Sequence, residues 1–338
     1  MDLSVVIPTL NEAVALPALL ADLKVQRDVS VQVIVADGAS SDATTDCATR
    51  AGAAVVIAPR GRGAQMNSGA RAARAATLLF LHADSRLEHP RHLREALDAI
   101  AACKDERVAG HWPLRFARTQ PGNDLFYRYM EEKTALNRDG TINGDQGLLV
   151  SAKYFRELGG FDERLPFLED QRIAAKVFAS GRWLTLPGVL TTSARRFETE
   201  GPRRRYTLMS LIMGLHAAGA DEYFARAREV YAAHDASGAL RLGPHLALVR
   251  RVLREAGWRR ACEIVLRAGR YTRQNSWQPF FWCDVALRLG NRPWLRWHDR
   301  LFAPLTNNVV CDAITAALIA LWFLLLLPVA AVIADPRD

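Results

Sequence analysis

Two short apolar runs near the start of the chain each end on an aspartate, and this placement does most to limit what the chain can fold into. Val31-Gln32-Val33-Ile34-Val35-Ala36 delivers Asp37, followed by Gly38-Ala39-Ser40-Ser41-Asp42. Thr77-Leu78-Leu79-Phe80-Leu81 delivers His82-Ala83-Asp84-Ser85. Branched apolar runs of this length, bounded by turn residues, read as strands buried on both faces. In open α/β sheets, ligands sit in the crevice at the carboxyl ends of such strands. One aspartate there reads as a cap for the next helix. Two of them suggest a site for a sugar hydroxyl, a base edge or a metal-bound phosphate.

The surrounding pattern supports a sheet of this kind. Leu3 to Ile7 reads as a first strand and Pro8-Thr9-Leu10-Asn11-Glu12 as its turn. Leu16, Leu19, Leu20 and Leu23 follow at the spacing of one buried helix face. A helix from about Asp42 to Ala51 and a strand at Ala54 to Ala58 come next. The glycine-bearing loop Pro59 to Gly63 then opens a helix to about Ala76. Regular alternation of strand and helix implies right-handed βαβ units and a mostly parallel sheet.

Other nucleotide folds and hydrolases lack their signatures. The first strand is not followed by G-x-G-x-x-G, and the Gly61-Arg62-Gly63 loop has Met66 where a third glycine would stand. There is no phosphate-loop lysine motif, no G-x-S-x-G elbow and no H-E-x-x-H. His216, His234 and His245 read as surface or core residues rather than ligands. Five cysteines, widely spaced and without C-x-x-C, argue against a disulfide framework or zinc site and for a reducing compartment. Met1-Asp2-Leu3-Ser4 enters the first strand without a basic leader, so a cleavable signal peptide is not expected.

Several segments together resemble family 2 glycosyltransferases of the GT-A fold. Ser4 to Glu12 is similar to their opening strand and turn, Val35 to Thr44 to the nucleotide-contact segment, and Arg60 to Gly69 to the glycine-bearing loop and helix start. Leu79 to Asp84 occupies the place of the D-x-D motif. Gly159-Gly160-Phe161-Asp162-Glu163 with Leu168-Glu169-Asp170 resembles the late segment carrying the catalytic base. Gly144-Asp145-Gln146-Gly147 and Ser193 to Glu198 further resemble a bacterial subgroup, the radical-SAM/selenodomain-associated transferases. The likeness covers roughly residues 1 to 200.

The resemblance implies an inverting, metal-dependent hexosyltransferase that moves a sugar from a nucleotide-sugar donor to an acceptor hydroxyl. Asp170 is the implied general base, with Glu169 beside it as the second catalytic candidate. Asp84 is the implied ligand of a Mg²⁺ or Mn²⁺ ion on the donor diphosphate, since hard ions are commonly held by one or two carboxylates plus substrate oxygens. Pro8, Thr9, Asn11, Glu12, Asp37 and Arg62 are expected on the donor side, and Asp145 and Gln146 on the acceptor side. The chain departs from the pattern at His82, where most relatives carry the first aspartate. That departure keeps open a second reading, a catalytically silent GT-A-like domain serving as a membrane-bound binding or assembly partner. A sugar-nucleotide pyrophosphorylase shares the fold, but its G-x-G-T-R-like opening loop is missing.

The C-terminal part has a different character. The chain carries 44 basic and 36 acidic residues, a net of +8, and from Gly201 to Arg300 there are 18 arginines against 8 acids. This half reads as helical. Its latter part is aromatic, with Tyr271, Trp277, Phe280, Phe281, Trp282, Trp294, Trp297 and Phe302. Arginine with tryptophan suits a membrane interface, although helical cores carry the same residues. Ala313 to Ala334 is uncharged over 22 residues, long enough to span a bilayer, the competing reading being a buried helix packed on the basic helical part, which its alanine-rich ends allow. The expected organisation is therefore a GT-A domain at 1–200, a membrane-proximal helical region at 201–308 and a transmembrane helix at 309–334. Arginines before that helix place the catalytic part on the cytoplasmic face, and a lipid-linked acceptor is expected there. No nucleic-acid partner is expected.

Overall fold

The computed structural model describes residues 1–165, 167–227, 230 and 240–327. The chain forms two compact units. The first comprises Met1–Arg118 and Met130–Ala194; the second comprises Thr119–Tyr129 and the residues from Arg195 onward.

The first unit is built on strands β1 (Leu3–Thr9), β2 (Val31–Asp37), β3 (Ala54–Ile57) and β4 (Thr77–Phe80), then β5 (Arg86–Leu87), β6 (Val108–His111), β7 (Leu114–Ala117), β8 (Leu148–Ser151), β9 (Arg182–Thr185) and β10 (Leu190–Ser193). Seven of them make one sheet in the order β3-β2-β1-β4-β8-β6-β9. All neighbouring pairs are parallel except those of β8, which runs antiparallel to both β4 and β6. Every residue of β1 is buried, as expected for a central strand covered on both faces. β2 ends on Asp37 itself, which pairs with Thr9 at the end of β1. The two strand ends thus arrive together at one sheet edge. A smaller sheet, β5-β10-β7, joins residues far apart in sequence.

Helices α1 (Leu16–Lys24), α2 (Thr44–Arg50), α3 (Arg62–Ala72), α4 (His92–Ala102), α5 (Asp124–Thr134), α6 (Ala152–Glu157) and α7 (Glu169–Ser180) follow the strands. α1 buries the four leucines of the sequence pattern. α3 stops at Ala72 rather than near Ala76, because the chain must turn to feed β4 at Thr77. The core under α6 and α7 is aromatic. Phe80 lies 4.9 Å from Phe155 and 5.0 Å edge-on to Phe161, and Val6, Ile34, Val150 and Trp183 complete it. Offset and edge-on rings add to the burial of their area.

The second unit is helical. Its main helices span Pro202–Ala217, Leu242–Glu255, Gly257–Gln274 and Trp277–Ala286. The aromatic stretch divides between both of its expected roles: Trp277 and Phe281 are core, whereas Trp282, Trp294 and Trp297 are about half exposed. His245 is buried, with its Nδ1 2.9 Å from the Tyr223 hydroxyl, as a core histidine should be. His234 lies outside the described residues. The helical run Val309–Leu326 is long and apolar enough to cross a membrane. It starts at Val309, where the expected helix starts, with Asn308 accepting the Cys311 N–H as its cap and Asp312 of the first turn preceding the uncharged stretch. The part of that expected stretch beyond Leu327 lies outside the described residues.

Candidate functional site

Two clusters of side chains form at the carboxyl ends of the central strands. The first stitches the loops after β1 and β2 together. Asp37 is completely buried and accepts hydrogen bonds from the Thr9 hydroxyl (3.0 Å), the Ser40 N–H (2.8 Å) and the Ser40 hydroxyl (2.5 Å). Asn11 takes a left-handed backbone (φ 57°), which asparagine tolerates. Its side-chain Oδ1 accepts the Ser41 N–H at 2.9 Å, and its backbone N–H donates to the Ser40 hydroxyl at 2.8 Å. The Glu12 N–H donates to Thr44 at 2.8 Å, and Thr44 in turn bonds Asp42. Pro8 is a buried strand residue opposite Ala36. Gln65 on α3 braces the cluster from behind, donating to the Thr9 and Ala36 carbonyls at 2.6 and 2.9 Å. A buried polar group pointing at two carbonyls satisfies backbone that would otherwise be orphaned.

The second cluster gathers charge around a cavity. The cavity's polar wall is His82, Asn143, Glu169 and Asp170; its apolar wall includes Met66, Phe80, Phe161 and Ile173. Asp170 stands in the first turn of α7, with Oδ2 accepting the Gly144 N–H at 2.7 Å and Oδ1 its neighbour Gln171 N–H at 2.9 Å. A side chain at Gly144 would lie 3.0 Å from the His82 ring and 3.6 Å from Asp170. The glycine is what lets the 144 backbone approach both residues. Next to Asp170, Glu169 is buried and pairs with the Arg62 guanidinium at 3.3 Å. Burial pushes the Glu169 carboxyl above its ordinary range; Arg62 opposes this, and the adjacent Asp170 charge adds to it.

Arg62, at the start of α3, also brings Nη1 to 3.5 Å from His82 Nε2. On the other side of the ring, His82 Nδ1 lies 2.7 Å from Asp145. Burial disfavours charge on the His82 ring, but the bond to the Asp145 carboxylate and its charge more than offset that, so the imidazole is held above its usual range. Asp145 thus sits beside the cavity residue His82. Gln146 does not face it: its side-chain amide is buried, lying 2.8 Å from His111 Nδ1 and donating to the Trp112 and Thr134 carbonyls, while Oε1 accepts the Asn143 N–H. Those bonds make it a brace for the turn at 143–147.

Asp84 follows β4 and is partly buried, and its charge is felt by both Arg62 and His82. Among the described residues, no group of three or more His, Cys, Asp or Glu side chains could hold a metal ion. A divalent ion here would therefore rely on Asp84 together with phosphate oxygens and water, a donor set that suits Mg²⁺ or Mn²⁺.

Sequence reading missed three positioning residues. Gln65 is one. Asn67 is another: its Nδ2 donates to the Phe161 carbonyl (2.9 Å) and Glu163 (2.8 Å), and its Oδ1 accepts the Phe161 N–H (3.0 Å), tying the late segment to α3. The third is Asn143, which caps the turn carrying Gly144 and Asp145. A run of amides on one helix, Gln65 and Asn67, was the available signal.

Residues 4–158 match the family model described as Glycosyl transferase family 2. Uncharacterized glycosyltransferases of Mycobacterium bovis and Mycobacterium tuberculosis are each 32% identical over 117 residues, covering 32% of this chain and 52% of theirs. The chain thus spans about half the length of these curated relatives. Among solved structures, residues 1–349 of TarS from S. aureus in complex with UDP align over 93% of this chain and 90% of that one, at 16% identity and a TM-score of 0.48. The mannosyltransferase PcManGT from Pyrobaculum calidifontis, in complex with GDP-Man and Mn²⁺, aligns over 95% of this chain and 87% of that one, at 18% identity and a TM-score of 0.46. The family match falls largely within the first unit, whose mixed, mostly parallel seven-stranded sheet with flanking helices has the architecture that the GT-A resemblance implies.

Proposed function

We propose that this chain, whose residues 4–158 match the glycosyl transferase family 2 model, is an inverting transferase of that family. It moves a hexosyl group from a nucleotide-sugar donor to an acceptor hydroxyl. The observation that carries this reading is the convergence of Asp170, Glu169 and His82 on one cavity, with Arg62 paired to Glu169 and beside His82.

Asp170 is the general base. Bonds from the Gly144 and Gln171 N–H groups fix its carboxylate while leaving lone pairs for the proton of the attacking hydroxyl. Arg62 has five N–H donors, and its contacts with Glu169 and His82 leave others for the departing diphosphate. Such a preset donor acts where charge develops in the transition state. Glu169 is the positioning partner that aims Arg62. Asp145 orients His82 and, on this reading, faces the acceptor, with Gln146 supporting it from behind. Pro8, Thr9, Asn11, Glu12 and Asp37 form the donor loops for base and ribose. Asp84 would hold a divalent cation, which when bound supplies Lewis-acid neutralisation of the diphosphate.

The likeness of Gly144–Gly147 to the radical-SAM-associated subgroup fits the same assignment. The apolar helix Val309–Leu326 and the Arg- and Trp-bearing helices before it support work at the cytoplasmic face of a membrane on a lipid-linked acceptor. The bond of His82 to Asp145 favours one competing reading, a silent binding domain, because it occupies the ring where relatives carry a carboxylate.

The test is kinetic. Asp170→Asn should slow transfer by roughly 10² to 10⁴, the usual worth of a positioned base, with donor affinity unchanged. A dead Glu169→Gln beside an active Asp170→Asn would exchange the two roles.

A further inference from the structure

We infer that the second unit enters an anionic phospholipid surface in the plane of the interface, with helix Val309–Leu326 lying along the membrane rather than crossing it. This deepens the membrane part of the proposal above, and its readouts need no turnover, so it can fail while the transferase assignment stands.

The helix has two unlike faces. Ile314, Leu318, Leu321 and Leu325, at i, i+4, i+7 and i+11, are all exposed, and only 11% of the apolar run is buried. The opposite face, with Asp312 and Ala316, packs on helix Gly257–Gln274. A Cβ on Gly269 would lie 2.6 Å from Ala316, so the two backbones touch there. One helical turn away, Asp312 accepts hydrogen bonds from Arg270 (2.9 Å) and Arg273 (2.5 Å). The contacts 269 with 316 and 273 with 312 run in opposite senses, so the helices are antiparallel.

That partner helix is not a membrane-spanning one. It carries Arg259, Arg260, Glu263, Arg267, Arg270 and Arg273, a charge on nearly every turn. The far end of the apolar run, Leu321–Leu326, rests on helix Leu242–Glu255, which bears Arg250, Arg251 and Arg254. Carrying Val309–Leu326 through hydrocarbon would draw these charges in with it, or break the Gly269–Ala316 contact and leave Asp312 without its arginines. Charges in the bilayer centre are costly in either case. Lying in the plane avoids both outcomes. The apolar stripe sinks about 5–10 Å, to the boundary between head groups and acyl chains, and the charged helices stay in water.

The surrounding residues fit an anionic bilayer surface. Trp258, Trp282, Trp294, Trp297 and Trp322 are between 45% and 75% exposed, and tryptophan favours head-group depth. Exposed Arg296 and Arg300 alternate with two of these tryptophans and match anionic lipid phosphates in charge.

The full-length protein is mixed with sealed vesicles of phosphatidylcholine, alone or containing phosphatidylglycerol. Binding should be at least about tenfold tighter to the anionic vesicles, with salt weakening it. Leu318→Arg, at an exposed position, should abolish binding while leaving the thermal unfolding curve unchanged. Epitope tags at the two chain ends should be digested by protease from the same side of the vesicle. Tags on opposite sides, equal binding to both vesicle types, or a stable dimer in lipid-free buffer that buries the stripe would each overturn the inference.

Discussion

The buried pair of Glu169 and Arg62 should respond unequally to losing one partner or the other. The Glu169 side chain is 2% exposed and the Arg62 side chain 40%. Removing the guanidinium with Arg62→Met leaves a carboxylate shut away from water without its counter-charge. For a fully buried pair that costs about 3–5 kcal/mol. Because solvent already screens the arginine end, the expected loss here is about 2–3 kcal/mol at pH 8. Glu169→Gln leaves an arginine that water can still reach, and should cost less than about 1 kcal/mol. The pH dependence follows from the same burial. A glutamate whose folded pKa is raised imposes a penalty when ionised, and the penalty fades as the pH falls through that raised value toward 4.5. The Arg62→Met deficit should therefore shrink between pH 8 and pH 5. Urea midpoints of the full-length protein at both pH values, with the double variant closing the cycle, measure this directly. The double variant should be more stable than Arg62→Met at pH 8. Equal losses from the two single variants, or a deficit independent of pH, would refute the argument.

Other outcomes follow from the same geometry. Asp84→Ala should remove the Mn²⁺-dependent part of nucleoside-diphosphate affinity measured by calorimetric titration; unchanged metal dependence would move the cation elsewhere. His92 is fully buried, and neither ring nitrogen has a hydrogen-bond partner among the described residues. Burial, with His89 nearby, pushes its pKa down to about 4 from 6.5. Stability is then present above pH 6.5 and falls by on the order of 3 kcal/mol as the pH drops toward 4, because only the unfolded chain takes the proton. His92→Leu should remove that acid slope, and parallel slopes in variant and wild type would contradict it. Phe80→Ala, which deletes a ring packed on Phe155 and Phe161, should cost about 3–5 kcal/mol in denaturant unfolding; a loss under about 1 kcal/mol would mean the aromatic core repacks.

Much of the first unit was readable along the chain because its signals are local. The branched run ending at Asp37 and the leucines of α1 carry their own periodicity, and the observed elements fall where those patterns lie. The antiparallel strand β8 was not readable. Leu148–Ser151 is a four-residue run between loops, and only its pairing with Phe80 and Gly110 reveals its direction. The site divides in the same way. Aspartates at strand ends announce themselves, whereas the approach of His82 to Asp145 spans 63 residues of sequence. Gln146 shows the limit from the other side. Its neighbours in sequence suggested an acceptor contact, but its amide is consumed by the His111, Trp112 and Thr134 groups that fold back around it. In the second unit, composition alone could not separate the core ring of Phe281 from the half-exposed Trp282 beside it. Their separation depends on which side of a helix faces its neighbours.

The most direct test of the central assignment is hydrolysis of a panel of sugar nucleotides by the full-length protein with Mn²⁺, no acceptor being added. Slow release of nucleoside diphosphate from at least one donor is expected, abolished by chelator and by Asp84→Ala. Stable binding of no donor and release from none of them would contradict it and leave the silent-domain reading in its place.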